Sequence, residues 1–269
     1  MRRALKNLLF SVLTAGLLLG GAELTLRLLD WPDTGLYAGD IASVWWLKAN
    51  LDETVPFPEE SRSFHVTTDA LGFRDSHPDA VACLGDSTTF GWGVDAEQTW
   101  CRYLAGHLGS TSNLGVPGYS THQALATVGR TLATRPRAVI LAFVVRDAQL
   151  SHAPDHLAPP PRPRPRLMDA LGGLVRRNAT PPPATLPRVD AERFGENLDA
   201  LIQTFTDAGV EVRLLSFPMV EPALEHQAEL RERGAISVSL PRDQFFEHDP
   251  IHLTPEGHQA MAQQVAEAW

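Results

Sequence analysis

From about residue 79 to the carboxyl end, the chain alternates between short apolar runs and longer stretches whose apolar residues have helical spacing. The apolar runs, rich in β-branched residues, are residues 80–84, 112–116, 138–145, 210–216 and 235–238. The helix-like stretches are residues 97–108, 122–133, 191–208, 222–233 and 255–268. Apolar strands that alternate with helices are typical of a parallel sheet covered by helices on both faces. The pattern therefore predicts an α/β fold with a parallel sheet of about five strands.

The amino end has a different pattern, an uncharged apolar run at residues 8–22 that follows three basic residues. Fifteen helical residues span about 22 Å, less than the ~30 Å of a bilayer's hydrocarbon core. Residues 24–29 lengthen the run if Lys6 and Arg27 extend to the two interfaces and Glu23 faces away from lipid.

We expect residues 1–29 to be an uncleaved membrane anchor. A cleaved signal peptide is the main alternative, because Gly20 and Ala22 are small residues of the kind that a signal peptidase requires. A buried helix is a third. Since basic residues stay on the cytoplasmic side, both leading interpretations place residues 30–269 outside the cytoplasm. The protein is then single-pass, with residues 30–269 on the periplasmic side of the cell membrane, or it is secreted.

The rest of the chain divides into an irregular arm and one large domain. Residues 30–78 are rich in Trp, Pro and acidic residues and predict the irregular arm. Residues 79–269 predict the α/β domain, with a Pro-rich insertion at 152–188. Its two arms, "APPPRPRPR" and "TPPPATLPR", favour polyproline II geometry around a short helix, "LMDALGGLVRR". Such an insertion is either a solvated surface loop or a lid or partner-docking element.

Composition narrows the function. The 269 residues carry a net charge of −9 without a clustered basic segment, which argues against nucleic acid as a partner. The sequence has no CxxC or Cys/His zinc spacing, and no cofactor or metal is predicted. The sequence has two cysteines, Cys83 and Cys101. Either they stay reduced, with Cys83 as a small buried apolar residue, or they form a disulfide after export. The oligomeric state stays open.

Candidate chemistry begins at Ser87, in "LGDST". It follows Gly85 and Asp86 at the carboxyl end of a predicted strand, where open α/β sheets place their ligands. Thr89 stands where a G-x-S-x-G elbow would have its second glycine. From the residues alone, Ser87 is either a nucleophile or, with Thr88, a candidate cap of the following helix.

Two further segments bear on that choice. In "HDPIHLTPEGH", Asp249 and His252 are three residues apart, so that one tight turn lets the carboxylate orient an imidazole that accepts the serine proton. The alternative is a turn-forming Asp beside a surface His. In "NLGVPGYST", Gly118 offers a backbone N–H that no side chain obstructs, as an oxyanion hole requires, or it is a turn glycine after Pro117.

These blocks together resemble the SGNH (GDSL-type) hydrolase family over about residues 79–269. The matching residues are Gly85-Asp86-Ser87, Asn113 with Gly118, and Asp249 with His252. The segment "TTDALGFRD" upstream is similar to bacterial membrane-anchored members. The resemblance implies a flavodoxin-like three-layer α/β/α sandwich with Ser87 as nucleophile, His252 as general base and Asp249 as its orienter. It also implies an oxyanion hole made by the N–H groups of Ser87 and Gly118 and an Asn side chain from a third block.

That third block departs from the family pattern, because Arg146 stands where the Asn is expected, followed by Asp147. Arg146 either replaces the Asn as a cationic oxyanion donor, adapts the site to an anionic substrate, or marks a degenerate site.

The sequence therefore predicts a membrane-anchored, extracytoplasmic serine esterase that hydrolyses acyl esters, for example acetyl groups on carbohydrate or other envelope molecules. An O-acyltransferase with the same triad and a non-catalytic module that lost its oxyanion Asn are the alternatives.

Overall fold

The computed structural model describes residues 2–29, 31, 35–40, 44–157, 165–175, 183–217 and 223–269. Within these ranges the helices are α1 (Arg2–Leu28), α2 (Ser87–Phe90), α3 (Trp100–Leu108), α4 (Thr121–Ala133), α5 (Val145–Ala148), α6 (Arg166–Val175), α7 (Ala191–Asp207), α8 (Leu224–Glu232) and α9 (Pro255–Glu267). The strands are β1 (Tyr37–Asp40), β2 (Val44–Leu47), β3 (Asp52–Phe57), β4 (Arg62–Thr67), β5 (Val81–Gly85), β6 (Thr111–Asn113), β7 (Ala138–Ala142), β8 (Leu150–Ser151), β9 (Leu186–Pro187), β10 (Glu211–Ser216) and β11 (Ile236–Ser237).

The central sheet has five parallel strands in the order β11-β10-β7-β5-β6. In order of appearance this is 2-1-3-4-5, the flavodoxin-like arrangement, and it confirms the predicted sheet. The two central strands, β5 and β7, are buried along their whole length, because helices cover both faces.

The helices form the two outer layers. α3 packs against α9, whereas α4 packs against α7 and α7 against α8. The chain moves from β5 outward to β6 and then returns across the sheet to β7. Since such parallel crossovers are right-handed, the reversal places α3 and α4 on opposite faces. The three-layer α/β/α sandwich is thus confirmed.

Two predicted strands are each three residues too long at the carboxyl end. One is 112–116, which ends as a strand at Asn113. The run 138–145 ends as a strand at Ala142, and Val145 already begins the short helix α5. The reason lies in the backbone, which leaves the extended conformation at Val144 (ψ −39°). The early end places Arg146 and Asp147 at the carboxyl edge of the sheet.

The expectation of an irregular arm at residues 30–78 needs correction. Its described part contains two antiparallel hairpins, β1–β2 and β3–β4. They form because aromatic side chains give each hairpin an apolar face that packs on the domain: the Trp46 ring lies 5.9 Å from Tyr119, and the Phe57 ring lies 5.2 Å from Phe246. The division of the chain into domains stays a prediction.

The Pro-rich insertion is fixed at both ends. β8 and β9 pair antiparallel where the insertion leaves and rejoins the domain, and the expected short helix is present as α6. Most of the two expected polyproline arms, residues 158–164 and 176–182, lies outside the described residues.

Two features concern the compartment. Leu5–Leu28 of α1 has a mean hydropathy of 1.7 and is unburied, so α1 is long and apolar enough to cross a membrane, as an anchor or a signal sequence would. Cys83 in β5 and Cys101 in α3 form a disulfide, with Cα atoms 6.1 Å apart. This settles the choice between free thiol and disulfide.

Candidate active site

Ser87 lies where the strand order reverses, at the carboxyl end of β5 and beside β7. This crevice is where open α/β sheets bind ligands. The helix cap is neither Ser87 nor Thr88 but Asp86, whose Oδ1 accepts from the Thr88 backbone N–H and hydroxyl, both at 2.8 Å. The Ser87 hydroxyl is therefore free for another partner.

That partner is His252. Its Nε2 lies 2.8 Å from Ser87 Oγ, and its Nδ1 lies 2.6 Å from Asp249 Oδ2. With the ring proton on Nδ1, donated to the carboxylate, Nε2 accepts from the serine hydroxyl. The structure thus brings the three predicted residues, Ser87, His252 and Asp249, together in one continuous chain of hydrogen bonds.

The Asp249 carboxylate is held by its own turn. Its Oδ1 accepts from the backbone N–H groups of Ile251 at 2.9 Å and His252 at 3.2 Å. Burial by itself would raise the pKa of Asp249, but the hydrogen bond and charge of the His252 ring, with the two backbone donors, lower it to about 2. The carboxylate is therefore ionised at neutral pH and holds the imidazole in one tautomer.

Gly118 lies on the loop after β6 with a left-handed φ of +86°. A Cβ there would lie 3.1 Å from the Trp45 ring, so glycine is favoured both by conformation and by space. The Arg188 guanidinium donates to the Gly118 carbonyl at 2.6 Å and so fixes that carbonyl. Asn113 anchors the same loop, because its Nδ2 donates to the Thr89 carbonyl at 3.0 Å.

Arg146 is half-buried in the wall of the cleft, with its guanidinium beside Ser87. Its Nη2 lies 3.5 Å from Ser87 Oγ, the outer limit of a hydrogen bond, while Nη1 donates to Gln149 Oε1 at 2.8 Å. Its Nε is buried without a partner among the described residues. A guanidinium has five donors, so this side chain has capacity left for a substrate oxygen.

These residues line a cleft of about 830 Å³, large enough for a small-molecule ligand. One wall comes from the amino-terminal hairpins through Tyr37, Trp45 and Phe57, and Trp92 lies beside the imidazole. Among the described residues, no group of three or more His, Cys, Asp or Glu residues is arranged to hold a metal ion.

Arg74 is a positioning residue that sequence analysis did not single out. It is 4% exposed, and its Nη1 donates to the carbonyls of Phe90, Gly91 and Val94 at 3.0, 3.2 and 3.1 Å. Burial lowers its pKa to about 10, so it stays charged at neutral pH. It holds the turn that follows the helix of Ser87. The signal was present in "TTDALGFRD", which ends with this arginine and Asp75.

Asp147 is a buried carboxylate next to Arg146 that holds the start of α4. Its Oδ1 accepts from the Thr121 backbone N–H at 2.9 Å and hydroxyl at 2.6 Å, while Oδ2 has no partner among the described residues. Burial raises its pKa to about 7, and the negative charge of Asp86 acts in the same direction, although the hydrogen bonds from Thr121 oppose both.

Comparison with solved structures gives matches of low identity. A protein of the G-D-S-L family from Desulfitobacterium hafniense DCB-2 is 15% identical, with a TM-score of 0.49 and coverage of 71% of this chain and 99% of that one. An α/β-hydrolase enzyme from the metagenome of Lake Arreo, Spain, is 16% identical (TM-score 0.47; 72% and 95% covered). A psychrotrophic esterase from Pseudoalteromonas sp. is 15% identical (TM-score 0.44; 70% and 95% covered).

No curated protein matches the chain. The model of the GDSL-like lipase/acylhydrolase family matches residues 83–260, a range that contains the serine, the histidine and the aspartate described above. The chain belongs to the GDSL-like lipase/acylhydrolase family.

Proposed function

We propose that this protein is a membrane-anchored, extracytoplasmic serine esterase in which Ser87 is the nucleophile, His252 the general base and Asp249 its orienter. The observation that carries the proposal is the continuous hydrogen-bonded chain from Ser87 through His252 to Asp249, with distances of 2.8 and 2.6 Å, on the wall of the cleft.

In the acylation step, Ser87 Oγ attacks the ester carbonyl carbon and its proton passes to His252 Nε2. The carbonyl oxygen becomes an oxyanion. When the tetrahedral intermediate collapses, the bond to the alcohol breaks, and His252 returns the proton to the leaving oxygen. The acyl group is then esterified to Ser87.

The oxyanion is stabilised by the backbone N–H groups of Ser87 and Gly118 and by the Arg146 guanidinium. Each well-placed donor of this kind contributes about 10²–10³ in turnover. Arg146 supplies a full positive charge where the family has a neutral amide, and its Nη2 lies only 3.5 Å from the nucleophile. This position favours the cationic donor over the degenerate site.

Deacylation repeats the sequence with water. His252 removes a proton from the water, which attacks the acyl carbon, and the acid is released as Ser87 recovers its proton. If a sugar hydroxyl takes the place of water, the same residues transfer the acyl group.

The lining of the cleft favours a substrate in which a small acyl group is esterified to a larger alcohol. Its aromatic wall, Tyr37, Trp45 and Phe57, presents flat apolar faces of the kind that pack against sugar rings or acyl chains. Acetyl groups on carbohydrate or other envelope molecules are the substrates that we propose.

Two features support the compartment. α1 is long and apolar enough to span a bilayer, with basic residues at its amino end, which favours an extracytoplasmic domain. The buried disulfide between Cys83 and Cys101 is of a kind that persists in oxidising compartments.

The test uses the full chain in detergent micelles with nitrophenyl acetate and an acetylated polysaccharide. We expect acetate release by the wild type and loss of at least 10³-fold in kcat for Ser87→Ala. An acceptor sugar added with the activated ester separates the alternatives, since acetylated sugar as the main product supports transfer. If the wild type hydrolyses neither ester and Arg146→Asn does, the esterase proposal is overturned in favour of a degenerate site.

A further inference from the structure

We propose that α6, inside the Pro-rich insertion, is an interfacial helix whose apolar residues enter the outer surface of the bilayer that α1 spans. The inference rests on the proposed function in one respect, that α1 is a retained anchor. The occupant of this surface is therefore the lipid bilayer itself.

The first observation is a direct contact between α6 and α1. Glu23 of α1 accepts hydrogen bonds from the backbone N–H groups of Arg166 and Leu167, both at 3.0 Å, and it also pairs with Arg27 at 2.7 Å. The first N–H groups of a helix have no intrahelical acceptors, so Glu23 caps α6 from another element. This contact fixes the start of α6 to a defined level of α1.

The second observation is the depth of Glu23, and so of the start of α6, within the apolar span of α1. The apolar span Leu5–Leu28 ends five residues beyond Glu23, which corresponds to about 7.5 Å along a helix. Interfacial amphipathic helices bury their apolar faces about 5–10 Å into the boundary between headgroups and acyl chains. The start of α6 therefore lies at the depth that such a helix occupies. An acidic residue at that depth also needs partners, and Glu23 has three donors.

The third observation is exposed apolar surface on both elements. Met168 and Leu171 of α6 are 60% and 51% exposed, and Leu28, Leu29 and Trp31 at the end of α1 are 79%, 70% and 50% exposed. In water this surface is unfavourable, by about 25 cal/mol for each Å². A tryptophan at the end of a membrane span is typical of the membrane–water interface. Trp31 therefore marks the interface close to the level at which α6 begins.

The insertion also reaches the site. Arg188 forms a two-point ion pair with Asp155, at 3.0 and 2.9 Å, and donates to the Gly118 carbonyl. Both ends of the insertion are thus held at the cleft, while α6 in its middle is held at α1.

The test places a fluorophore on the full chain in vesicles of phosphatidylcholine and phosphatidylglycerol. Met168→Cys carries an environment-sensitive nitrobenzoxadiazole label, and Thr206→Cys, exposed on α7, is the matched control. We expect lipid-borne spin labels to quench position 168 several-fold more than position 206, and aqueous iodide to show the opposite order. Equal quenching at both positions overturns the proposal, as does protection of position 168 from both quenchers, which would mean protein cover.

Two further measurements separate the possible failures. Intact mass and vesicle flotation report whether residues 1–29 are retained and inserted. A protein that floats with position 168 unquenched by lipid overturns the role of α6 and leaves the anchor in place, whereas a protein that lacks residues 1–29 overturns both. In Glu23→Gln, the weaker cap should lower lipid quenching at position 168, with flotation unchanged; unchanged quenching there would contradict the capping step.

Discussion

Arg146 and Ser87 face each other at the edge of the sheet where the strand order reverses, with Nη2 of the arginine 3.5 Å from Oγ of the serine. The two side chains come from the ends of neighbouring strands, β7 and β5. Gln149 holds the other terminal nitrogen of the guanidinium, so that Arg146 is directed toward Ser87 before any substrate is bound.

We expect Arg146→Met to lower kcat on a neutral ester by about 10²–10³-fold with little change in KM, because an oxyanion donor acts on the transition state. Arg146→Asn should recover part of that loss. Steady-state kinetics on nitrophenyl acetate measure both. Unchanged kcat, or a defect confined to KM for anionic esters, would show that Arg146 binds substrate charge instead.

Asp249→Asn should lower kcat by about 10³–10⁴-fold, because an amide no longer holds His252 in the tautomer that accepts the serine proton. The exposed Asp243→Asn, on the same segment, is the control and should keep full activity. A loss of less than tenfold in Asp249→Asn would argue against the proposed role of the carboxylate.

Arg188 is expected to act through Gly118, whose carbonyl it fixes at 2.6 Å. Arg188→Met should lower kcat about tenfold, equivalent to about 1.4 kcal/mol, with KM little changed. Arg188→Lys should restore part of the rate by keeping one donor. If Arg188→Met loses stability in urea but keeps kcat, the residue only holds the insertion.

Asp147 should make stability depend on pH. Its pKa rises on folding from 3.8 to about 7, so the folded state disfavours its ionised form. The stability is therefore full below pH 3.8 and is lost as pH rises toward 7, by up to about 4 kcal/mol. Asp147→Asn keeps the acceptor for Thr121 and should remove this slope. Urea midpoints between pH 4 and pH 8 test it, with Asp243→Asn as the control; parallel curves for wild type and Asp147→Asn would contradict the prediction.

The disulfide should stabilise the fold without taking part in the chemistry. Cys83 and Cys101 are 18 residues apart in sequence, for which loop entropy gives about 3 kcal/mol. We expect the Cys83→Ala/Cys101→Ala double variant to lose about that much free energy of unfolding in urea, with kcat changed less than about twofold. Equal stability of the two proteins would mean that the bond forms no constraint in solution.

The central strands were predictable because β5 and β7 are buried on both faces, which gives uninterrupted apolar runs in the sequence. The predicted strand at 138–145 was too long because periodicity cannot detect that the apolar Val145 already begins a helix. The hairpins at residues 37–67 were missed because their aromatic residues pack on distant partners, as Phe57 does on Phe246.

For the site, local motifs were sufficient to choose Ser87, Asp249 and His252, whose catalytic roles stay predictions. The supporting contacts were not predictable in the same way. Arg74 and Arg188 donate to backbone carbonyls, and a motif such as "TTDALGFRD" does not indicate which carbonyls those are. The choice of Asp86 as helix cap instead of Ser87 depends on backbone angles that the sequence leaves open.

The wall made by Tyr37, Trp45 and Phe57 has a practical consequence for anyone who shortens the chain. A truncation that begins at residue 79 would retain every atom of the hydrogen-bonded chain from Ser87 to Asp249 and still lose one side of the cavity. Ester preferences measured on such a fragment would describe a wider opening than the one that natural substrates meet.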